Sequence, residues 1–441
     1  MSAAAEPSPW FGQPRGLTIL FLTNMWEQFS YFGMRALLVY YMTKTLLIDQ
    51  QASSFLYGTY TAFAYFTPIV GGAIADRWLG KKKAVIIGAS VMALGHFLMT
   101  FEATFYVALA TIALGNGLFL PTLPSQINDL YHADDPRRPW AYNVYYVGVN
   151  VGGFLAPLVC GTLGEVYGWH YGFGAAGIGM LAGLCIYLAG SRYLPPERRY
   201  EVAPQPSVAA RGTARRTYGV LLAIGLAVTL FRGAYEQVGN TVALWADSGI
   251  DRGLGSVSIP MTWFQSLNPL LVILITPFLL AYWQRRAAAA REHSPVQKMA
   301  IGALIVAAAY LLLALAAASA GDGRASWIWL AGFFLIFTIG ELFILPNGLG
   351  LFARLAPPRF GATTVAAWYL AIFAGSLCAG LVGTLWSELS HVTYFILLAA
   401  IAAAAAGFLL LIDRPARAVI ATREEQRESQ TLDPQAGIPS T

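Results

Sequence analysis

Charge is scarce in this chain: Asp, Glu, Lys and Arg make up 12% of its 441 residues, against about 25% in soluble globular domains. That excludes an ordinary solvated surface. Cysteine is scarcer still. Cys160, Cys185 and Cys378 lie far apart, each inside an apolar stretch, so their spacing offers no disulfide framework and no metal cluster, and structural packing is expected. The five histidines are scattered. His132, His170, His293 and His391 fall at helix ends or loops, and His96 stands alone in an apolar span. No nucleophile and base pair up and no metal set emerges, so neither an enzyme nor a bound metal or cofactor is expected.

What the chain has in abundance is apolar surface, with 57% hydrophobic residues and a mean hydropathy of +0.56. Runs of roughly 20 apolar residues, enough to span a hydrocarbon core about 30 Å thick, recur along it. They are expected at about 16–42, 55–75, 84–101, 104–126, 139–162, 171–190, 217–245, 258–283, 297–319, 325–353, 361–387 and 391–412. The expectation is an all-α integral membrane protein of twelve helices.

Arg and Lys then orient it, because basic loops stay cytoplasmic. Arg77 and Lys81 to Lys83 follow the second run, Arg137 and Arg138 the fourth, and Arg192, Arg198, Arg199, Arg211, Arg215 and Arg216 the sixth. Arg285, Arg286, Arg291 and Lys298 follow the eighth, Arg354 and Arg359 the tenth, and Arg414, Arg417, Arg423 and Arg427 the twelfth. Only Lys44, Arg252 and Arg324 sit in the alternate loops. Both termini are therefore expected in the cytoplasm. The formal charge of +5 reflects these loops near anionic headgroups, and the partner it implies is the lipid bilayer, with no nucleic acid.

The opening "MSAAAEPSPWFGQPRG" is polar and proline-bearing, so no signal peptide is expected and the first span is retained. The organisation read from the sequence is a cytoplasmic segment 1–15, a six-helix bundle 16–190, a basic, Pro-rich linker 191–216, a second bundle 217–413 and a disordered tail 414–441. Two halves around a linker is the plan of transporters that rock about a site at the bilayer midplane.

Polar side chains inside the spans mark that site. A charge at mid-helix costs about 2.5–3.5 kcal/mol on insertion scales, so it faces the bundle interior and marks a solute or proton path. In "NMWEQFSYFGMR", Asn24, Glu27 or Gln28, Tyr31 and Arg35 recur every three or four residues on one face. Tyr57, Thr61 and Tyr65 share a face of the second span, and Asn143, Tyr146 and Asn150 one of the fifth. Gln265 and Asn268 precede Pro269 in the eighth, where helical hydrogen bonding breaks. The remaining deep carboxylates are Glu236 and Glu341, and Trp368 offers an aromatic wall. Arg232, one turn before Glu236, leaves open that this pair simply neutralises itself within one helix. Any single Tyr or Asn on these faces serves packing as readily as ligand contact.

"GGAIADRWLGKKK" (71–83) resembles the signature loop of the major facilitator superfamily, in which Asp76 and Arg77 would latch neighbouring helices in one alternating state. "RRPWAYNVYYVGVNVGGFLAPLVCGTLGEVYGWHYGFGAAGIGM", "YEQVGNTVALWAD", "FQSLNPL" and "GELFILPNGLGLFARLAP" together resemble the proton-dependent oligopeptide transporter family, from about residue 20 to 412. The resemblance implies the major facilitator fold and proton-coupled uptake of di- and tripeptides, with the proton as coupling ion. It implies that Arg35 receives the peptide carboxylate and Glu341 its ammonium. It further implies that Tyr31, Tyr65, Tyr146, Asn150, Asn268 and Trp368 line the pocket, and that Glu236 serves gating and proton coupling.

The departures fall where coupling is decided. The family's first helix reads Glu-x-x-Glu-Arg, whereas this one has Asn24, Glu27 and Gln28, and Leu120 replaces a fourth-helix lysine. Glu27 thus loses its expected partners. Either it takes up a proton alone, with Glu236 and Glu341 completing the cycle, or solute moves without strict coupling. Family members in bacteria often carry two extra helices between the halves, for which 191–219 is too short and too charged. The leading expectation is an importer of short peptides or peptide-like solutes in a bacterial cytoplasmic membrane. A proton-independent facilitator or exporter of another amphipathic solute stays open, as does a ligand sensor without turnover. The natural solute and the oligomeric state are not legible.

Overall fold

The computed structural model describes residues 12–131, 135, 137–196, 211–289, 291–355 and 361–432, with side chains not described at 139, 211–215, 353–354, 361–365 and 423–432. The described chain is helical throughout its body. In order come α1 (Arg15–Lys44), α2 (Gln50–Ile74), α3 (Lys81–Leu98), α4 (Phe105–Ser125), α5 (Arg138–Ala156) and α6 (Trp169–Gly190). Then follow α7 (Arg211–Tyr235), α8 (Thr241–Ser248), α9 (Trp263–Ala288), α10 (Pro295–Ala320), α11 (Trp327–Leu355), α12 (Gly361–Thr384) and α13 (His391–Leu432).

Local chemistry sets the ends. The Asp49 carboxylate accepts the Gln51 N–H to start α2. Ser294 and Gln297 form a reciprocal capping box ahead of Pro295 at α10. After α2 the chain widens into a π-turn, Ala75–Leu79, and reverses at Gly80, whose φ of 77° suits only glycine.

Nine helical stretches among the described residues are long and apolar enough to cross a membrane. The helices α1, α2 and α3 are not among them: α1 carries Glu27, Gln28 and Arg35, α2 starts in glutamines and serines, and α3 in three lysines. Leu114, Ile178, Leu226, Leu315 and Leu411 stand largely exposed on the outside, an apolar belt suited to lipid.

Helix α1 packs on α5 and α6, and α3 on α4 and α6; α10 packs on α11 and α13, and α7 on α12 and α13. Two seams join these groups, α2 against α12 and α5 against α9. In the first, Ser54 Oγ donates to Asn240 Oδ1 at 2.9 Å and Gln50 Nε2 to the Gly383 carbonyl at 3.0 Å. In the second, Ser266 Oγ donates to the Phe154 carbonyl at 2.8 Å. The Glu165 carboxylate accepts the N–H groups of Met261 (3.0 Å) and Thr262 (2.9 Å). Lys44 and Asp247 pair at 2.7 Å at the same end of the molecule. Among the described residues no comparable seam joins α4 or α5 to α10 or α11 at the other end, so the bundle is shut at one end.

At Gly58 the shut end tolerates no side chain: a Cβ there would lie 2.4 Å from the Gly380 Cα, and backbone cannot yield as a rotamer does. Gly58→Leu is therefore expected to part α2 from α12, at an overpacking cost of about 1–3 kcal/mol. In the Ser54→Cys background an impermeant maleimide should then label Cys roughly tenfold faster, a shift of about 1.4 kcal/mol. Unchanged labelling would show that the seam is not closed by this contact.

Several expected boundaries move. The seventh run does not form one continuous α-helix: α7 ends at Tyr235, Glu236–Gly239 forms a 3-10 turn, and α8 restarts after Asn240. Two glycines and Asn240 in eight residues make that break local. The tail expected to be disordered from 414 is helical to Leu432, because "ARAVIATREEQRESQ" is rich in strong helix formers. Residues 433–441 lie outside the described residues, as do 1–11 and the linker stretch 197–210, while its last residues, 211–216, begin α7. The loops after α8 and α10 add four two-residue strands, β1 (Ile250–Asp251) pairing in parallel with β4 (Ala325–Ser326), and β2 (Gly253–Leu254) antiparallel with β3 (Val257–Ser258).

Candidate functional site

Between the two helical groups lies a cavity of about 310 Å³, at the lower end of the range of about 300–1,000 Å³ typical of ligand sites. Glu27, Tyr31, Arg35, Tyr65, Tyr146, Asn150, Asn268 and Glu341 all line it. They come from α1, α2, α5, α9 and α11, so the polar faces read separately from each helix converge on one volume. Gln28 and Leu120, where cations were expected, line it too. Phe32, Phe337, Val149 and Leu345 supply apolar wall.

Arg35 is not a free receiver. Its Nη2 donates to Glu236 Oε2 and its Nε to Tyr57 Oη at 2.6 Å. Glu236 lies behind the cavity wall and also accepts from Arg232 Nη2 through Oε1. The local Arg232–Glu236 pairing left open by the spacing is thus present, and Arg35 joins it from the other half. The α7 break allows this: the 3-10 turn at Glu236–Gly239 brings Gly239 against Tyr57, where a Cβ would lie 2.0 Å from the phenol oxygen.

Glu341 stands across the cavity and accepts from Tyr235 Oη at 2.6 Å and from Asn268 Nδ2 at 2.5 Å. Asn268 also donates to Thr338 Oγ1 at 3.1 Å. Glu341 has no ion pair among the described residues. Glu27 is buried, accepts from Gln28 Nε2 at 2.7 Å and likewise has no cationic partner among the described residues.

One expected pocket residue sits elsewhere. Trp368 does not line this cavity: it is buried in the core of the second group, edge-on to Phe352 and against Gly348. The close approach permitted by Gly348 draws the indole inward. Asp76 and Arg77 are exposed in the π-turn and make no ion pair among the described residues. Conversely, Tyr235 and Asn116, which were not among the expected site residues, line the cavity, as does Gln265, read with Asn268 from the eighth run. Asn116 is held by donating to the Ala64 carbonyl at 2.8 Å. Its flanking glycines in an otherwise apolar run were the available signal. Tyr235 gave none, since its partner Glu341 is remote in sequence.

Opposed charges facing one another across a cavity between two helical groups are the equipment of a membrane transporter. The chain belongs to the POT family, whose profile matches residues 82–201 and 199–401. An uncharacterized transporter of Bacillus subtilis (strain 168), YclF, is 30% identical, over 91% of this chain and 94% of its own. A di-/tripeptide transporter of Lactococcus lactis subsp. cremoris is 29% identical, over 92% of this chain and 96% of its own. A crystal structure of peptide transporter POT in complex with sulfate superposes with a TM-score of 0.85 at 28% identity, covering 93% of this chain and 97% of that one.

Proposed function

We propose that this chain imports di- and tripeptides, or peptide-like solutes, across a bacterial cytoplasmic membrane by alternating access coupled to protons. The observation that carries this reading is that Arg35 of α1 and Glu341 of α11 line one cavity from opposite halves. A peptide zwitterion offers a carboxylate to the first and an ammonium to the second, with aromatic and apolar wall between them for varied side chains. The cavity volume suits a short peptide. The kinship with a protein named as a di-/tripeptide transporter supports the substrate class.

In this reading α7 and α8 make one span, the spans number twelve in two halves, and both termini lie in the cytoplasm as the basic loops require. The shut end then faces outward and the cavity opens inward. Glu27 serves proton coupling and Glu236 gating, Asn150, Tyr31, Tyr65, Tyr146 and Asn268 shape the pocket, and Asp76 and Arg77 act in the opposite state. The reading assigns the chain no catalytic step.

Proteoliposomes given labelled dialanine test it. Uptake above equilibration is expected only with an inward proton gradient. Downhill exchange that ignores the gradient would leave a facilitator, the second reading, favoured by Glu27 having no cationic partner among the described residues. No flux from a folded protein would sink the peptide assignment.

A further inference from the structure

Glu236 is 1% exposed and holds two guanidinium groups at once, Arg35 from α1 on one carboxylate oxygen and Arg232 from its own helix on the other. Arg232 is fixed from both sides: its guanidinium lies 5.1 Å from the Tyr65 ring centroid and 4.8 Å from that of Tyr235, each a cation–π contact. Both rings line the cavity, and Arg232 itself does not. It stands behind the cavity wall, and its ion pair is with Glu236.

We propose that Arg232 is a resident counter-ion that keeps Glu236 paired while Arg35 leaves it for the carboxylate of an incoming solute. The inference rests on the transport reading above. Taking Arg35 away from a carboxylate with no other partner would strand a buried anion, which is strongly unfavourable, so a proton would have to land on Glu236 before Arg35 could let go. With Arg232 in place the exchange conserves charge: Arg35 trades one carboxylate for another and Glu236 stays paired. No proton need bind at Glu236, and coupling moves to the cavity carboxylates that form no ion pair among the described residues, Glu27 and Glu341.

The surroundings of Glu236 contain no third cation among the described residues. Arg35 and Tyr31 face it from α1, Tyr57 from α2, and Arg232 and Tyr235 from α7, with Tyr65 of α2 against Arg232. Tyr310 of α10 and Glu341 of α11 complete the set. Tyr310 is engaged in donating to the Ala234 carbonyl at 2.6 Å, and Tyr235 in donating to Glu341. Arg232 is thus a positioning residue with no substitute.

Dialanine counterflow in proteoliposomes, with equal pH on both sides, is the test. Between about pH 6 and about pH 8, Arg232→Gln should add to the wild-type profile a fall in exchange approaching tenfold per pH unit, the limit for one obligatory proton. Arg232→Lys should restore the wild-type profile, and Arg232→Gln/Glu236→Gln, which leaves no carboxylate to strand, should show no added fall. A profile for Arg232→Gln identical to the wild type overturns the proposal. If that variant fails to fold, the double variant decides, since an added acid dependence there overturns it equally. Absence of exchange by folded wild type would sink the transport reading and this inference together, whereas wild-type exchange with an unmoved Arg232→Gln profile sinks this inference alone.

Discussion

In Glu341→Gln, acetylating the amino end of a dipeptide is expected to make no further difference to its affinity, while in the wild type the same acetylation weakens binding about tenfold to hundredfold. A hydrogen bond to a charged group is worth about 1.5–3 kcal/mol, and acetylation removes both the charge and the donors. Glutamine keeps the shape but has one acceptor oxygen, so it can replace the acceptor for Tyr235 or for Asn268, which now hold the two carboxylate oxygens at 2.6 and 2.5 Å. It is the comparison of free with acetylated peptide within each protein that isolates the charge. Arg35→Gln should behave as the mirror image, losing affinity for free peptides and becoming indifferent to amidation of the carboxyl end. Its fold should hold, because Arg232 still partners Glu236. Isothermal titration of each protein with the three ligands reads the crossed pattern. Equal sensitivity to both modifications in both variants would mean that the solute lies otherwise in the cavity.

The polar faces that line the cavity were legible in part before any coordinates. Charges and amides at helical spacing within apolar runs have one inexpensive place to go, the interior, so Asn24, Glu27, Tyr31 and Arg35 could be assigned to one inward face from periodicity, whereas placing Glu341 opposite Arg35 came from the family resemblance. Periodicity says which face a residue occupies, not which helix stands opposite. Hence the sharing of Glu236 between Arg35 and Arg232, 201 and 4 residues away, was visible only as its local half. Trp368 shows the complementary failure. Its position fitted a pocket wall, but the approach of α11 at Gly348 made room for the indole in the core. The helical tail was missed because its polarity was read as disorder, whereas its Ala, Arg, Glu and Gln content favours helix in water as well as near a membrane.

Glu27→Gln should abolish accumulation while sparing exchange. The side chain is buried beside Gln28 and Leu120, and no cation partners it among the described residues. No cation among the described residues offsets its charge there, whereas Arg35, Glu236 and Arg232 already satisfy one another. Glutamine fixes the neutral state without changing the volume, so the cavity should keep its affinity for peptide and counterflow should persist. What disappears is the linkage to the gradient: under an inward difference of about one pH unit, one proton per peptide sustains about tenfold accumulation, equivalent to about 1.4 kcal/mol, and the variant should settle at equilibration. Retained accumulation would move the coupling proton to Glu341, the other cavity carboxylate without an ion pair among the described residues. Loss of exchange as well would make Glu27 a determinant of the binding cavity itself, because a residue that served coupling alone could be neutralised without stopping the helices from alternating around a bound peptide.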